Sequence, residues 1–408
     1  MASPTTIAVL ATLDSKGEEA AYLRDEIAAA GLQPMLVDVG VGGEAALAAD
    51  ISRDQVAAAA GTGVAALLDG DVTTAEALSA MARGAGVLLA QWVKDEAIAG
   101  ALGLGGGKGT ALIAQAMRSL PIGFPKLLVS TAASGNTRRF LGSKDIWIVS
   151  PVTDLMGVNR INQGILRQAA AAICAMARLP REAESAPSRP ALALTSYGVT
   201  TPAAERCKAL AEELGYEVLV FHARGTGGQA MEELIEREVF AGVLDLTLSE
   251  LADEVAGGIA SAGPQRLEAA GRVGIPQVVA PGALDVVNFG PPGTVPEKLA
   301  GRVFYPHSSS ATLMRTNAQE SAELGQLVAR KLNAATGPVA VLIPLEGYSA
   351  LDVKGKPFYD PDANAAFVEA LEAALSADVI LVKLPYHVND PLFAEQMVGT
   401  LDRLIAGR

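Results

Sequence analysis

Short runs of aliphatic and β-branched residues alternate along the chain with Ala-, Leu- and Glu-rich stretches whose apolar positions recur at helical spacing. Strand, amphipathic helix, strand is the rhythm of the βαβ unit, and its repetition predicts mostly parallel sheets covered by helices on both faces. The first unit reads as a strand over residues 7–11, a loop over 12–17, a helix to about residue 30 and a strand over 35–39. Ser15 and Glu18 stand at capping-box spacing, and Gly31 suits the left-handed residue that closes a helix. Residues 86–90, 98–104, 126–130 and 146–149 read as further strands, with helices up to residue 119 and over 163–177.

The segment 179–190 is Pro-rich, polar and charged, which marks a linker. The rhythm then restarts, with strands expected at 191–195, 216–221, 242–246, 277–279, 303–305, 338–343 and 379–382. Helices are expected at 202–213, 319–332, 363–375 and 391–405. The expected fold is therefore α/β: two doubly wound, mostly parallel Rossmann-like domains, 1–180 and 191–408, joined by a linker over 181–190.

Composition narrows the function. The chain has 408 residues, 50% of them apolar but only 4% aromatic, so Ala, Val, Leu and Ile must build the interior. Its 45 acidic and 32 basic residues leave a net charge of −13, which argues against a nucleic-acid or anionic-membrane footprint. No apolar run approaches the ~20 residues of a membrane span. Cys174 and Cys207 cannot form a disulfide framework. A cytoplasmic protein is expected.

Two glycine loops stand between a strand and a helix, where bare amides and the helix dipole favour anions. The first is Gly105-Gly106-Gly107-Lys108-Gly109-Thr110, with Lys108 for charge. It is neither a P-loop nor a G-x-G-x-x-G, and a tight turn is the plain alternative. Thr12, Asp14 and Lys16 after the first strand, Asp38 after the second, and Ser130, Thr131, Ser134 and Gly135 after a later one would line the same crevice, Asp38 where a ribose-binding acid often stands. The second loop, Arg224-Gly225-Thr226-Gly227-Gly228, reads as a second anion site. His222, Glu250, Asp253, Asp285 and His307 are candidates for acid–base work near it, although acids at loop starts are more often caps. No spacing supports a protein-built zinc site, and the identity of any metal stays open.

Several strings together carry a resemblance. They include Ala11-Thr12-Leu13-Asp14-Ser15-Lys16-Gly17-Glu18, Leu36-Val37-Asp38-Val39-Gly40, Ser130-Thr131-Ala132-Ala133-Ser134-Gly135, Tyr197-Gly198-Val199-Thr200-Thr201-Pro202 and Thr312-Leu313-Met314-Arg315-Thr316. The chain resembles the Tm-1-like ATP-binding domain family, bacterial and fungal proteins related to the N-terminal part of a tomato tobamovirus-resistance protein. The resemblance spans nearly the whole length. It implies ATP bound by the first domain, and self-association as a homodimer or higher oligomer; Mg2+ stays open as a companion of the nucleotide. It departs at Gly-Gly-Gly-Lys-Gly-Thr, where Gly-Gly-Ser-Gly-Gly-Thr is expected, at Ser308-Ser309-Ser310, and at Thr247-Leu248-Ser249-Glu250. Two functions stay open. One is a nucleotide-binding protein in which ATP is regulatory or structural. The other is a metabolic enzyme acting on a small carboxylate or phosphorylated metabolite in the second domain.

Overall fold

The computed structural model describes residues 4–180 and 189–407. The chain divides into two compact units, Met1–Ala183 and Glu184–Arg408. The linker expected over 181–190 lies, for 181–188, outside the described residues.

In the first unit, β1 (Thr6–Ala11), β2 (Gln33–Asp38), β3 (Gly100–Gly105), β4 (Lys126–Ser130) and β5 (Trp147–Val149) form a sheet of order β2-β1-β3-β4-β5. Every pairing in it is parallel. A strand covered on both faces reads as a continuous apolar run. β1 shows why: Ala8 and Leu10 pack on one face with Met81 and Ile113, while Ile7, Val9 and Ala11 pack on the other with Leu23 and Ile173. The helices Thr74–Lys94 and Gly107–Met117 cover the first face, and Leu13–Ala29 and Asn162–Arg178 the second. The order reverses between β1 and β3. At such a switch point the loops leaving the carboxyl ends diverge and open a crevice.

The second unit contains β6 (Ala191–Ser196), β7 (Glu217–His222), β8 (Gly242–Thr247), β9 (Gln277–Gly282), β10 (Val286–Phe289), β11 (Phe304–Ser308), β12 (Ala311–Arg315), β13 (Val339–Pro344) and β14 (Ile380–Leu384). A parallel sheet runs β14-β13-β9-β8-β6-β7, with its reversal between β6 and β8. A separate antiparallel sheet, β10-β12-β11, was not expected from the sequence.

Two local expectations are overturned. Residues 86–90 are not a strand but part of the helix Thr74–Lys94, opened by a Thr73/Glu76 capping box. Met81, Ala85 and Leu89 share its buried side at i, i+4 spacing. A Cβ on Gly84 would lie 1.9 Å from the Val56 carbonyl, so this glycine permits a close helix crossing. The Ser15/Glu18 capping box does not form either. The chain makes one turn from Leu13, breaks helical geometry at Lys16 (φ −128°, ψ 23°) and resumes. Glu18 instead accepts from the Val158 amide.

Candidate functional site

The loop after β3 enters a helix whose N-terminal residue, Gly106, gives no side-chain cap. Thr110 N–H is the first loop amide bonded back, to the Gly106 carbonyl (2.7 Å). Among the described residues the amides of Gly107, Lys108 and Gly109 have no acceptor, as expected of an uncapped first turn. The glycines here differ in their reasons. A Cβ on Gly103 would meet Ile113 at 2.4 Å, and one on Gly105 would meet the backbone of Gly109 and Thr110 at 2.9 Å, so these two let the helix sit down on β3. A Cβ on Gly107 or Gly109 would meet nothing within 4 Å, and neither residue has a positive φ. Neither packing nor backbone strain accounts for glycine at those two positions. Their effect is to leave the first turn bare.

Two cavities lie in this unit, one running from that turn along the helix to Arg118 and the other among the loops after β4 and β5. One of about 400 Å3 is lined by Gly107, Lys108, Arg118, Arg139 and Phe140, among others, and by no acidic residue. The Arg139 guanidinium lies over the Phe140 ring, 4.6 Å from its centroid. The other, about 410 Å3, is polar and lined by Thr131, Ser134, Ser150, Thr153 and Asp154 with two neighbours. Arg118, Arg139 and the 150–154 segment were not singled out from the sequence, where only the Arg138-Arg139 pair stands out as a local signal.

Several expected contacts of this crevice serve the fold instead. Lys16 donates its ammonium to the Leu155 carbonyl. Asp38 is buried, and its Oδ1 accepts from the amides of Leu13 (3.1 Å) and Gly40 (2.9 Å), so it ties the β1 and β2 loops together. Burial pushes its carboxyl up, against those two hydrogen bonds. Thr110 and Ser130 are buried and share a 2.6 Å hydrogen bond, which braces the loop from below. Gly105 is likewise buried. Asp14 sits against the segment after β2 that holds Gly40 and Gly42: a Cβ on Gly42 would fall 2.0 Å from its Oδ2. Thr12 opens the first turn and shares a 3.0 Å contact with the Ser15 hydroxyl.

The second loop reads differently. Gly225 has φ +87°, a conformation that favours glycine; a Cβ on Gly227 would fall 2.0 Å from the His222 carbonyl, and one on Gly228 the same distance from Glu250 Oε2. The amides of Gly225 (2.5 Å) and Gly228 (3.0 Å) both donate to Glu250 Oε1. The amides of this loop, from Gly225 through Thr226 to Gly228 beside Arg224, are therefore not an open anion site. The protein's own carboxylate occupies it, and the salt bridge from Arg266 Nε to Glu250 Oε2 (2.7 Å) secures it.

Comparison with known proteins now bears on the chain. Residues 5–182 match the profile described as "Uncharacterised protein family (UPF0261) N-terminal domain", and residues 189–405 match its C-terminal domain. A UPF0261 protein of Clostridium tetani is 43% identical over 396 residues, covering 97% of this chain and 98% of that one. The chain belongs to the UPF0261 family. A UPF0261 relative from Rhizobium meliloti is 45% identical over 399 residues, covering 96% and 97%. The tomato ToMV resistance protein Tm-1(GCR237) is 41% identical over 312 residues, which cover 75% of this chain and 41% of that protein. The resemblance carried by the sequence strings is thus a relationship over most of the chain.

In this UPF0261 chain the remaining acid–base candidates are mostly interior. Asp253 accepts from the Ala260 and Asn288 amides (both 3.0 Å) and from the Asn288 side chain (2.7 Å); burial still pushes it up to about 7. Asp285 takes the Ser349 hydroxyl (2.6 Å) on one oxygen and leaves the other unpartnered. Burial, reinforced by Asp352, pushes Asp285 up to about 7 against the pull of Arg315. Glu250, Asp253 and Asp285 are all at most 1% exposed and hold structure together. His307 stands exposed on β11, stacked loosely on Tyr305 at 6.4 Å. Among the described residues no group of three His, Cys, Asp or Glu could hold a metal ion.

Asp285 gives a pH prediction. A carboxyl with its folded-state pKa raised keeps its proton in the fold where the open chain has lost it, so stability falls as pH climbs from about 4 to about 7. Asp285→Asn carries a neutral isostere. It is expected to be more stable than the parent at pH 8, by on the order of 2 kcal/mol, and to lose that advantage at pH 4.5. Urea unfolding at the two pH values measures this.

Proposed function

We propose that the N-terminal unit binds ATP, with Mg2+ on its phosphates, in the crevice between β1 and β3, and that the nucleotide acts on conformation or self-association. The observation that carries this reading is the pair Gly107 and Gly109. They are glycine for no internal reason, and they leave uncapped amides at the positive end of an 11-residue helix. The crevice lies at the topological switch point of the sheet. Lys108 supplies positive charge at the turn, and the Thr131, Ser134 and Ser150 hydroxyls after β4 and β5 supply polar groups. The likeness to the Tm-1-like ATP-binding family supports the choice of ATP among anions.

Calorimetry with ATP, with and without Mg2+, tests the proposal. Binding is expected to weaken about tenfold in Lys108→Ala, which removes one phosphate-facing charge. Absence of binding at millimolar ATP would sink the reading. Catalysis in the second unit draws no support from Glu250 or Asp253, since each is committed to internal partners, nor from Asp285, which is shut off from solvent.

A further inference from the structure

The second unit also has a switch point, between β6 and β8, and its side chains differ from the acids just described. Tyr197 directly follows β6, His222 ends β7, and Ser196 and His222 are register partners. The Tyr197 and His222 rings lie 5.6 Å apart, tilted by 43°. The Tyr197 hydroxyl donates to Asn288 Oδ1 (2.7 Å), and the Asn288 amide nitrogen donates in turn to Asp253 Oδ2 (2.7 Å). That chain fixes the direction of the phenol proton and leaves a lone pair on the phenol oxygen, on a residue that is 6% exposed.

Arg224 completes the group. It is partly exposed, and among the described residues its guanidinium has no ion pair or hydrogen-bond partner. Its charge reaches both His222 and Tyr197. In a chain with 45 acidic residues against 32 basic ones, no carboxylate has been placed on it. The neighbouring helix amides do not compete for an incoming anion, because Glu250 already holds them.

We propose that Arg224, His222 and Tyr197 form a binding site for a small metabolite carrying an anionic head group, a carboxylate or phosphate, next to a hydroxyl. The guanidinium offers paired N–H donors to the head group. The imidazole nitrogen and the phenol oxygen are acceptors, so the ligand must bring the donor, which a hydroxyl does. Burial, then the nearby Arg224 charge, pushes the His222 pKa down, which keeps the ring an acceptor at neutral pH. The site is independent of nucleotide binding in the first unit.

The chain has three histidines, so side-chain NMR can follow His222 with His307 and His387 as internal references and His222→Gln to assign the signal. Glycolate and inorganic phosphate, titrated into the full-length protein, are expected to shift the His222 titration midpoint by about half a unit or more, the anion favouring the imidazolium and the donated hydroxyl the neutral ring. Acetate, which lacks the hydroxyl, should do so at higher concentration. In Arg224→Ala the free midpoint rises and the anion response disappears, with the melting temperature unchanged. A His222 titration that ignores all three anions at tens of millimolar, or a response that survives in Arg224→Ala, overturns the site. Equal potency of glycolate and acetate overturns the hydroxyl contact.

Discussion

Arg266→Met is expected to destabilise the C-terminal unit by about 3–5 kcal/mol, the range for removing one partner of a buried ion pair. Arg266 is 1% exposed. Its guanidinium bonds both oxygens of Asp245 (2.5 and 2.7 Å), Glu250 Oε2 (2.7 Å) and Glu232 Oε1 (3.2 Å). Methionine fills much of the volume but leaves Asp245 and Glu250 buried without a counter-charge. Those acids must then take up protons in the fold that the open chain does not bind at neutral pH, so the variant's stability should fall as pH rises. The deficit is accordingly smaller at pH 5 than at pH 8. Denaturant unfolding of the full chain, followed by circular dichroism, should show the second unit's transition moving alone. Adding Asp245→Asn and Glu250→Gln should recover part of the loss. A variant within 1 kcal/mol of the parent at pH 8 would show that the cluster does not need its cation.

Gly107→Asp is expected to weaken ATP binding at least about 100-fold, near 3 kcal/mol, without lowering the melting temperature. The new side chain meets nothing within 4 Å, and a carboxylate in the first turn of a helix complements its dipole, so the fold should be unharmed. The same carboxylate repels triphosphate and competes for the bare amides. Gly105→Ala should behave in the opposite way. Its methyl would press on the backbone of Gly109 and Thr110 at 2.9 Å, displacing the helix start and costing stability as well as binding. Calorimetry and thermal melting on both variants separate a ligand contact from a packing defect. Undiminished binding in Gly107→Asp would exclude the loop.

Strands buried on both faces announced themselves as apolar runs. For that reason β1, β4, β6 and β13 were legible to within a residue or so, and the helix Pro391–Ile405 agrees at both ends. The misread strand at 86–90 has a local cause: Gly86-Val87-Leu88-Leu89-Ala90 is apolar whether it is strand or helix, and only the longer i, i+4 pattern from Ala77 decides. The sheet β10-β12-β11 escaped because its strands are short and hold polar residues, Asn288 and Arg315, whose partners lie elsewhere in the chain.

The sequence by itself determined the two α/β units, the glycines that follow a strand, and the absence of an acid from the first loop, since all three are properties of neighbouring residues. Only the tertiary structure decided which loop remains open. Gly225–Gly228 is as glycine-rich as Gly106–Gly109, yet Glu250, more than twenty residues on, reaches back to fill it, and Arg266 holds that carboxylate in place. Hydrogen bonds and ion pairs to buried groups are made across the fold rather than along the chain, so composition and spacing could point to acids but could not say which of them already had partners.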